Sequence, residues 1–434
     1  MKARRLPADD ADCGWFACLA PLPEARRLDG DQRVATAIVG AGFTGLAAAR
    51  RFAELAPDEE VALLDAQRAG WGAAGRSSGF VVDLAGFVAA LSPADAERFI
   101  HLSRLGIGLL RERVAVDGID CAWDDAGWLH VAATDRGLAS LDELERWLAG
   151  RGERFERHDA EAMGRVVGSS YYRAGIRLPG SVLVQPAALV RGLAAALPAA
   201  VRLYEQTPAL SITPGSPVAI ETPSGRLTAS RVVVATNAQM GAFGLLRQRL
   251  FPLWTFGSLT RPLDDGEQRL LGGEREWGLL AQDILGSSLR RTRDQRILVR
   301  NTVRFSRRPD TSVAVREAAR REHRRALLAR LPGLVGVDFS HTWGGVMGMS
   351  TNGRHFFGRL AENVWGAAGY NAAGIALGTV CGHLLADAAL GRSSDDLDRM
   401  CALPGPRWFP PSPLSDLGIR WRIHRLERTN RDHV

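Results

Sequence analysis

Residues 34–49 read VATAIVGAGFTGLAAA, and the glycines at 40, 42 and 45 carry the clearest chemical signal in the chain. They form G-x-G-x-x-G between an apolar run, Val34 to Val39, and an alanine-rich helical pattern that continues from Arg50 to Leu55. Gly40 permits a tight turn out of a strand. Gly42 lets a pyrophosphate approach bare backbone, and Gly45 lets the helix pack close on the strand. The loop Gly40, Ala41, Gly42, Phe43, Thr44 and Gly45 then presents the unpaired N–H groups and positive dipole end of a helix to phosphate oxygens. A second apolar run, Val61 to Leu64, ends in Asp65 and Ala66, 20 residues beyond Gly45. A carboxylate there can accept from a ribose hydroxyl. Strand, turn, helix, second strand and acid together predict dinucleotide binding. The fingerprint alone does not separate FAD from NAD. The following stretch, GWGAAGRSSGF over 70–80, is small enough to let backbone approach a flat ring.

The chain has 434 residues, 46% of them hydrophobic and 24% charged. That is enough for two intertwined domains. No apolar run reaches the length of a bilayer. Asp9, Asp10 and Asp12 interrupt the first residues, and no apolar core precedes a cleavage site, so 1–32 reads as a non-secretory leader and the cytoplasm as the expected location. The five cysteines form no C-x-x-C pair. Neither a disulfide framework nor a metal site is expected. The formal charge is +7, carried by scattered arginines, with Lys2 the only lysine. No basic-aromatic interleaving accompanies it, so nucleic acid is not an expected partner. Short alternating strands are expected over 201–222 and 250–305, and helices over 313–331 and from Ile375 to Leu390.

Several segments together resemble the D-amino-acid-oxidase-like FAD oxidoreductases, and within them the group that contains gamma-glutamylputrescine oxidase. They are the leader Trp15–Leu28, the fingerprint, Gly70–Phe80, RVVVATNA at 231–238, Trp343–Gly345, NVWGAAGYNAAGIALGTVCGHLLADAALG at 363–391 and RWFPPSPLSDLG at 407–418. The resemblance spans nearly the whole chain. It implies an α/β fold: a Rossmann-like FAD-binding domain with a discontinuous, sheet-based α+β substrate domain. The expected division gives 33–90, 151–235 and 335–403 to the FAD-binding domain and 91–150 and 236–334 to the substrate domain. Residues 404–434 are a basic C-terminal tail. The resemblance places Arg76, Ser77, Ser78 and Gly79 beside the isoalloxazine, with Ala209 and Ala235 along the adenine groove. It places Gly369, Gly374, Ile375 and Ala376 at the pyrimidine end, where the dipole of the following helix stabilises negative charge. Ser77 and Ser78 stand where the family stretch has Asn and Gly. Relatives with covalent flavin carry histidine or cysteine where this chain has Gly72 and Gly348, so FAD is expected to be non-covalent.

The implied reaction is oxidation of a small amine or amino acid, with hydride passing from the carbon beside nitrogen to flavin N5 and an imine product that hydrolyses. Oxygen is the expected acceptor. A dehydrogenase feeding a quinone or carrier, and a non-catalytic redox sensor, are the alternatives. The lysine that helps oxygen react in some relatives has no counterpart, since Lys2 lies in the leader. Arg300, in RILVRNTVRF, either pairs with a substrate carboxylate or makes a structural salt bridge. Trp343 walls the cavity or packs in the core. His355 bonds substrate or caps a turn. Tyr370 and Asn371 lie on the flavin-side turn. No carboxylate stands out as a general base. In the tail, Ile419, Ile423 and Leu426 share one face of a basic helix, which is expected to pack on the protein body rather than on a membrane. Nothing in the sequence indicates an oligomeric state.

Overall fold

Strands buried on both faces read as continuous apolar runs, which is why VATAIV and RVVV show no alternation. The strand Gln32–Val39 runs parallel to Gly225–Val234 on one side and Val61–Leu64 on the other. The computed structural model describes residues 1–84, 86–281 and 286–429. Among these, the first sheet has the order Phe356–Ala361, Val364–Ala368, Gly225–Val234, Gln32–Val39, Val61–Leu64, Val201–Tyr204, with two further short antiparallel strands beside Gly225–Val234. Helix Phe43–Leu55 crosses from the first of its parallel strands to the next. It packs on helix Ala376–Ala389, which is apolar on nearly every face because helix Pro93–Val116 covers its other side. Small residues set this spacing: a Cβ on Gly382 would overlap the Thr44 carbonyl, and one on Gly106 would overlap that of Ala376.

The second sheet is mostly antiparallel. Its order is Phe339–Met349, Phe251–Thr260, Ile297–Phe305, Ser288–Arg291, Trp277–Ala281, Leu129–Ala132, Ala174–Arg177, Glu156–Asp159. Its membership corrects the expected division. Glu156–Asp159 and Ala174–Arg177 hydrogen-bond here and not in the nucleotide sheet. So does Phe339–Met349, paired along Phe251–Thr260. Helix Pro93–Val116, placed with the substrate domain, packs instead on Ala376–Ala389. Phe339–Met349 pairs with a strand about ninety residues away, so the local pattern does not show which sheet it joins.

The first residues and the C-terminal helix both join the body. The Met1 ammonium donates to the Ile212 carbonyl at 2.6 Å, and the N–H groups of Ala3 and Arg4 donate to Leu210 and Ala242 at 2.8 and 2.9 Å. Trp15 and Phe16 are buried with Trp343 in one apolar cluster. Met1 to Arg4 and the segment around Trp15 are therefore packed onto the body. Helix Leu414–Thr429 lays Ile419, Ile423 and Leu426 against Leu253, Val303 and Phe305. The rest of the tail, 430–434, lies outside the described residues. No helix among the described residues is long and apolar enough to cross a membrane.

Candidate functional site

A cavity of about 1580 Å³ is lined by residues of both sheets and both chain ends. It exceeds the roughly 300–1,000 Å³ of a pocket for one small molecule, and so has room for a dinucleotide with a substrate beside it.

At the nucleotide end, Gly40 has φ +107°, a conformation other residues rarely adopt. A Cβ on Gly42 would meet only the Ala74 Cβ, at 3.5 Å, so a side chain there would grow into the cavity. A Cβ on Gly45 would overlap the Gly40 carbonyl oxygen, which confirms close packing beneath the turn. Asp65 accepts the Ala41 N–H at 2.9 Å on one carboxylate oxygen and the Gln67 N–H at 2.8 Å on the other. Each oxygen keeps a free lone pair. Burial raises the Asp65 pKa to about 6 even though those two N–H groups hold it down, and Glu205 and Asp9 add to the rise. Gly40, Gly42, Phe43, Thr44, Asp65, Ala66, Ala209 and Ala235 line the cavity. Ala41 does not: its N–H is taken by Asp65 and its side chain is buried. A bare cradle at Gly42 beside an acid with spare acceptor capacity fits the phosphate and ribose of a dinucleotide.

At the other end of the cavity stand Arg76, Ser77, Ser78, Tyr370, Asn371, Gly374 and Ile375. The Arg76 guanidinium is turned into the protein. It donates to the Trp71 and Gly344 carbonyls at 2.8 and 3.1 Å and pairs with the Asp10 carboxylate at 3.3 Å. It ties three segments together, leaving its backbone and the two serines at the wall. Three expected contacts fall away from the cavity. A Cβ on Gly79 would overlap the Val184 carbonyl, Gly369 faces Leu250, and the Ala376 backbone lies against Gly106. Their small size serves chain packing.

The Tyr370 hydroxyl donates to the Ala367 carbonyl at 3.1 Å and lies 2.7 Å from the Thr44 hydroxyl. It braces the fingerprint loop against the turn that carries Tyr370. Burial pushes its pKa well above the usual tyrosine value, so it stays neutral. Asn371, at φ +49°, accepts the Ser350 N–H at 2.9 Å and donates to the Gly369 carbonyl at 2.6 Å. Trp343 does both things expected of it: it lines the cavity, and it packs edge-on to Trp15 while its indole N–H donates to the Arg76 carbonyl at 3.1 Å.

His355 is a correction. It lies in a separate small pocket, with Nε2 3.2 Å from the Met400 sulfur. Burial, then the nearby Arg354 charge, lowers its pKa to about 4. The strand that follows it turns the ring toward helix Asp395–Ala402, which the local pattern TNGRHFFG does not show.

Arg300 opens onto the cavity from deep in the second sheet. It donates to the Ser288 hydroxyl at 2.7 Å. No carboxylate pairs with it among the described residues. Burial alone lowers its pKa to about 10, so it remains charged.

Sequence reasoning did not find Thr207, Thr236, Asn237 and Ser350, which border the cavity, nor the N-terminal segment Ala3–Asp9 that runs past it. The shared face of Ile419, Ile423 and Leu426 was legible, but not that it also borders this space.

The fold is shared with glycine oxidase from Geobacillus kaustophilus, at TM-score 0.70 and 22% identity over 84% of this chain and 96% of that one. A sequence profile of the DAO family, described as FAD dependent oxidoreductase, matches residues 35–388. The chain belongs to this family. FAD is its cofactor, and it is an oxidoreductase. Among curated relatives, probable oxidoreductase OrdL of Rhizobium meliloti is 30% identical over 94% of this chain and 96% of its own length. Gamma-glutamylputrescine oxidoreductase of Escherichia coli is 29% identical over 85% and 86%.

Proposed function

We propose that this FAD-dependent oxidoreductase oxidises the C–N bond of a carboxylate-bearing amine, an amino acid or an N-substituted amino acid, with oxygen as acceptor. The observation that carries this is Arg300: a half-buried cation at the cavity wall with no carboxylate partner among the described residues. An unpaired buried charge is costly, and a ligand carboxylate is the partner that satisfies its planar fork of donors. Glycine, named for the structural relative, carries both an amine and a carboxylate.

Bound FAD supplies a two-electron acceptor that takes hydride from the carbon beside the substrate nitrogen. The nitrogen lone pair forms the C=N bond as the C–H bond breaks, and water then hydrolyses the imine. The chain's own work is to bind and aim. Arg300 holds the carboxylate and so fixes the orientation of the α-carbon. Trp343 and Tyr370 close the wall against water. The N-terminus of helix Ala376–Ala389 points its dipole at the cavity beside Ile375, where negative charge is stabilised. Gly40 through Thr44 and Asp65 would hold the pyrophosphate and ribose. Ser77, Ser78, Gly374 and Ile375 would border the ring. Neither Gly72 nor Gly348 can form a bond to it, so the cofactor would be held without covalent attachment. The working division follows the two sheets, one for the nucleotide and one for the substrate.

Aerobic incubation with a panel of amino acids and N-alkyl amino acids tests the proposal. Peroxide and the matching keto acid or aldehyde are expected together. Carbonyl product formed only with an added quinone, and no peroxide, would refute oxygen as acceptor.

A further inference from the structure

The cavity face of the second sheet changes character along its strands. Arg300 pairs with Gly257 on the neighbouring strand. Moving away from it on the same face, Thr255 pairs with Val303, then Leu253 with Phe305, and the strand ends at Phe251. On the other flank Met347 pairs with Leu253 and Met349 with Phe251. Six residues separate Gly257 from Phe251, about 20 Å of strand at ~3.4 Å each. Beyond Thr255 the side chains of these strands that line the cavity, Val303, Leu253, Phe251, Met347 and Met349, are apolar, while Phe305 lies outside it beneath the Arg307 and Arg420 guanidinium groups. The roof there is helix Leu414–Thr429, whose Ile419, Ile423 and Leu426 line the cavity, with Ser415 and Arg422 as the polar residues of the same helix that reach it. These three, like Phe251, Met347 and Met349, are only partly buried although they face inward. Apolar side chains left partly uncovered on the wall of an internal space favour an apolar occupant over water.

We propose that the C-terminal helix is a specificity-determining wall, and that the substrate carries a hydrocarbon body several carbons long that runs along the strands Phe251–Thr260 and Phe339–Met349 beside this helix, where both border the cavity. The assignment rests on Arg300 holding the substrate carboxylate, because that anchor sets the polar end from which the hydrocarbon extends. A polar or very short substrate would leave the chamber's apolar wall in contact with water. The outer face of the same helix, with Leu417 65% exposed, takes no part in the chamber.

The test uses the FAD-loaded protein and straight-chain carboxylates from acetate to octanoate, with binding read from perturbation of the visible flavin spectrum. Each added methylene should lower the dissociation constant about fourfold, the equivalent of ~0.8 kcal/mol per buried CH₂. Ile423→Trp fills the chamber. It should leave acetate binding within twofold of the parent and stop the gain at a shorter chain length, whereas Leu417→Ala should leave the whole series unchanged. Equal affinity for acetate and octanoate overturns the chamber while leaving the carboxylate anchor standing. So does a chain-length gain that Ile423→Trp does not alter, since the helix would then only cover the cofactor. Failure of every carboxylate to bind overturns the anchor and this proposal with it.

Discussion

Replacing Arg300 by methionine separates its two possible roles, because they predict opposite changes in stability. The side chain is half-buried at the cavity wall, hydrogen-bonds among the described residues to Ser288, and has its pKa lowered by burial from 12.5 to about 10. At ~1.36 kcal/mol per unit, holding that charge costs the folded protein about 3 kcal/mol. The lost hydrogen bond to Ser288 offsets about 1.5–3 kcal/mol of this, as expected for a bond from a charged group. Arg300→Met should therefore leave stability unchanged or raise it by up to about 1.5 kcal/mol. Ligand binding should move the other way. Truncating one partner of a buried, hydrogen-bonded charge pair costs about 2–5 kcal/mol, a loss of roughly 30-fold to several thousand-fold in carboxylate affinity. Denaturant unfolding gives the first number, and spectral titration of the FAD-loaded protein with carboxylates gives the second. A loss of stability of about 3 kcal/mol or more, as when a structural ion pair is broken, with carboxylate affinity intact, would refute the reasoning.

Gly42→Val should abolish FAD retention while leaving the far-ultraviolet circular dichroism unchanged, because the new side chain enters only the cavity. Gly45→Val should instead give little folded protein, because its Cβ overlaps the Gly40 carbonyl. Ionised Asp65 accepts a ribose hydroxyl more strongly than its neutral form does. With its pKa at about 6, FAD affinity should weaken as pH falls through about 6, and Asp65→Asn should flatten that dependence in equilibrium dialysis. His323, with Nδ1 2.7 Å from the Ser258 hydroxyl, has its pKa lowered to about 3 by burial and by Arg300. A histidine with a depressed folded pKa binds its proton more readily when unfolded. Stability should therefore fall by several kcal/mol, at ~1.36 kcal/mol per pKa unit, as pH drops from about 6.5 toward 3; denaturant melts of His323→Gln should show a shallower fall. His355→Ala should lower the melting temperature with no change in the rate of flavin reduction by substrate.

What the sequence disclosed follows from the range of the interactions concerned. The fingerprint loop and Asp65 were legible because backbone geometry, phosphate approach and helix packing act within one strand–turn–helix unit. The helices over 313–331 and 375–390 were legible from local periodicity. The sheet to which Phe339–Met349 belongs was not, because its partner lies about ninety residues away. Arg76 and His355 show the same limit at the level of side chains. Both types can bind ligands, and only the fold reveals that one grips Asp10 and two carbonyls while the other faces Met400. Gly79, Gly369 and Ala376 looked like ring-facing residues for the same small size that lets neighbouring backbone pack against them. Arg300 ran the other way: in a chain this rich in arginine its type said little, and the role proposed for it rests on the fold, which puts it at the cavity wall with no carboxylate beside it among the described residues.

The most direct test of the central claim is anaerobic mixing of the FAD-loaded protein with paired amines that differ only in the carboxylate, each amino acid set against its decarboxylated counterpart. Bleaching of the flavin absorbance by the carboxylate-bearing member of a pair, with its decarboxylated counterpart at least about 30-fold less effective, is the predicted result. Equal bleaching by both members of every pair, or a flavin that no carboxylate-bearing amine reduces, would contradict it.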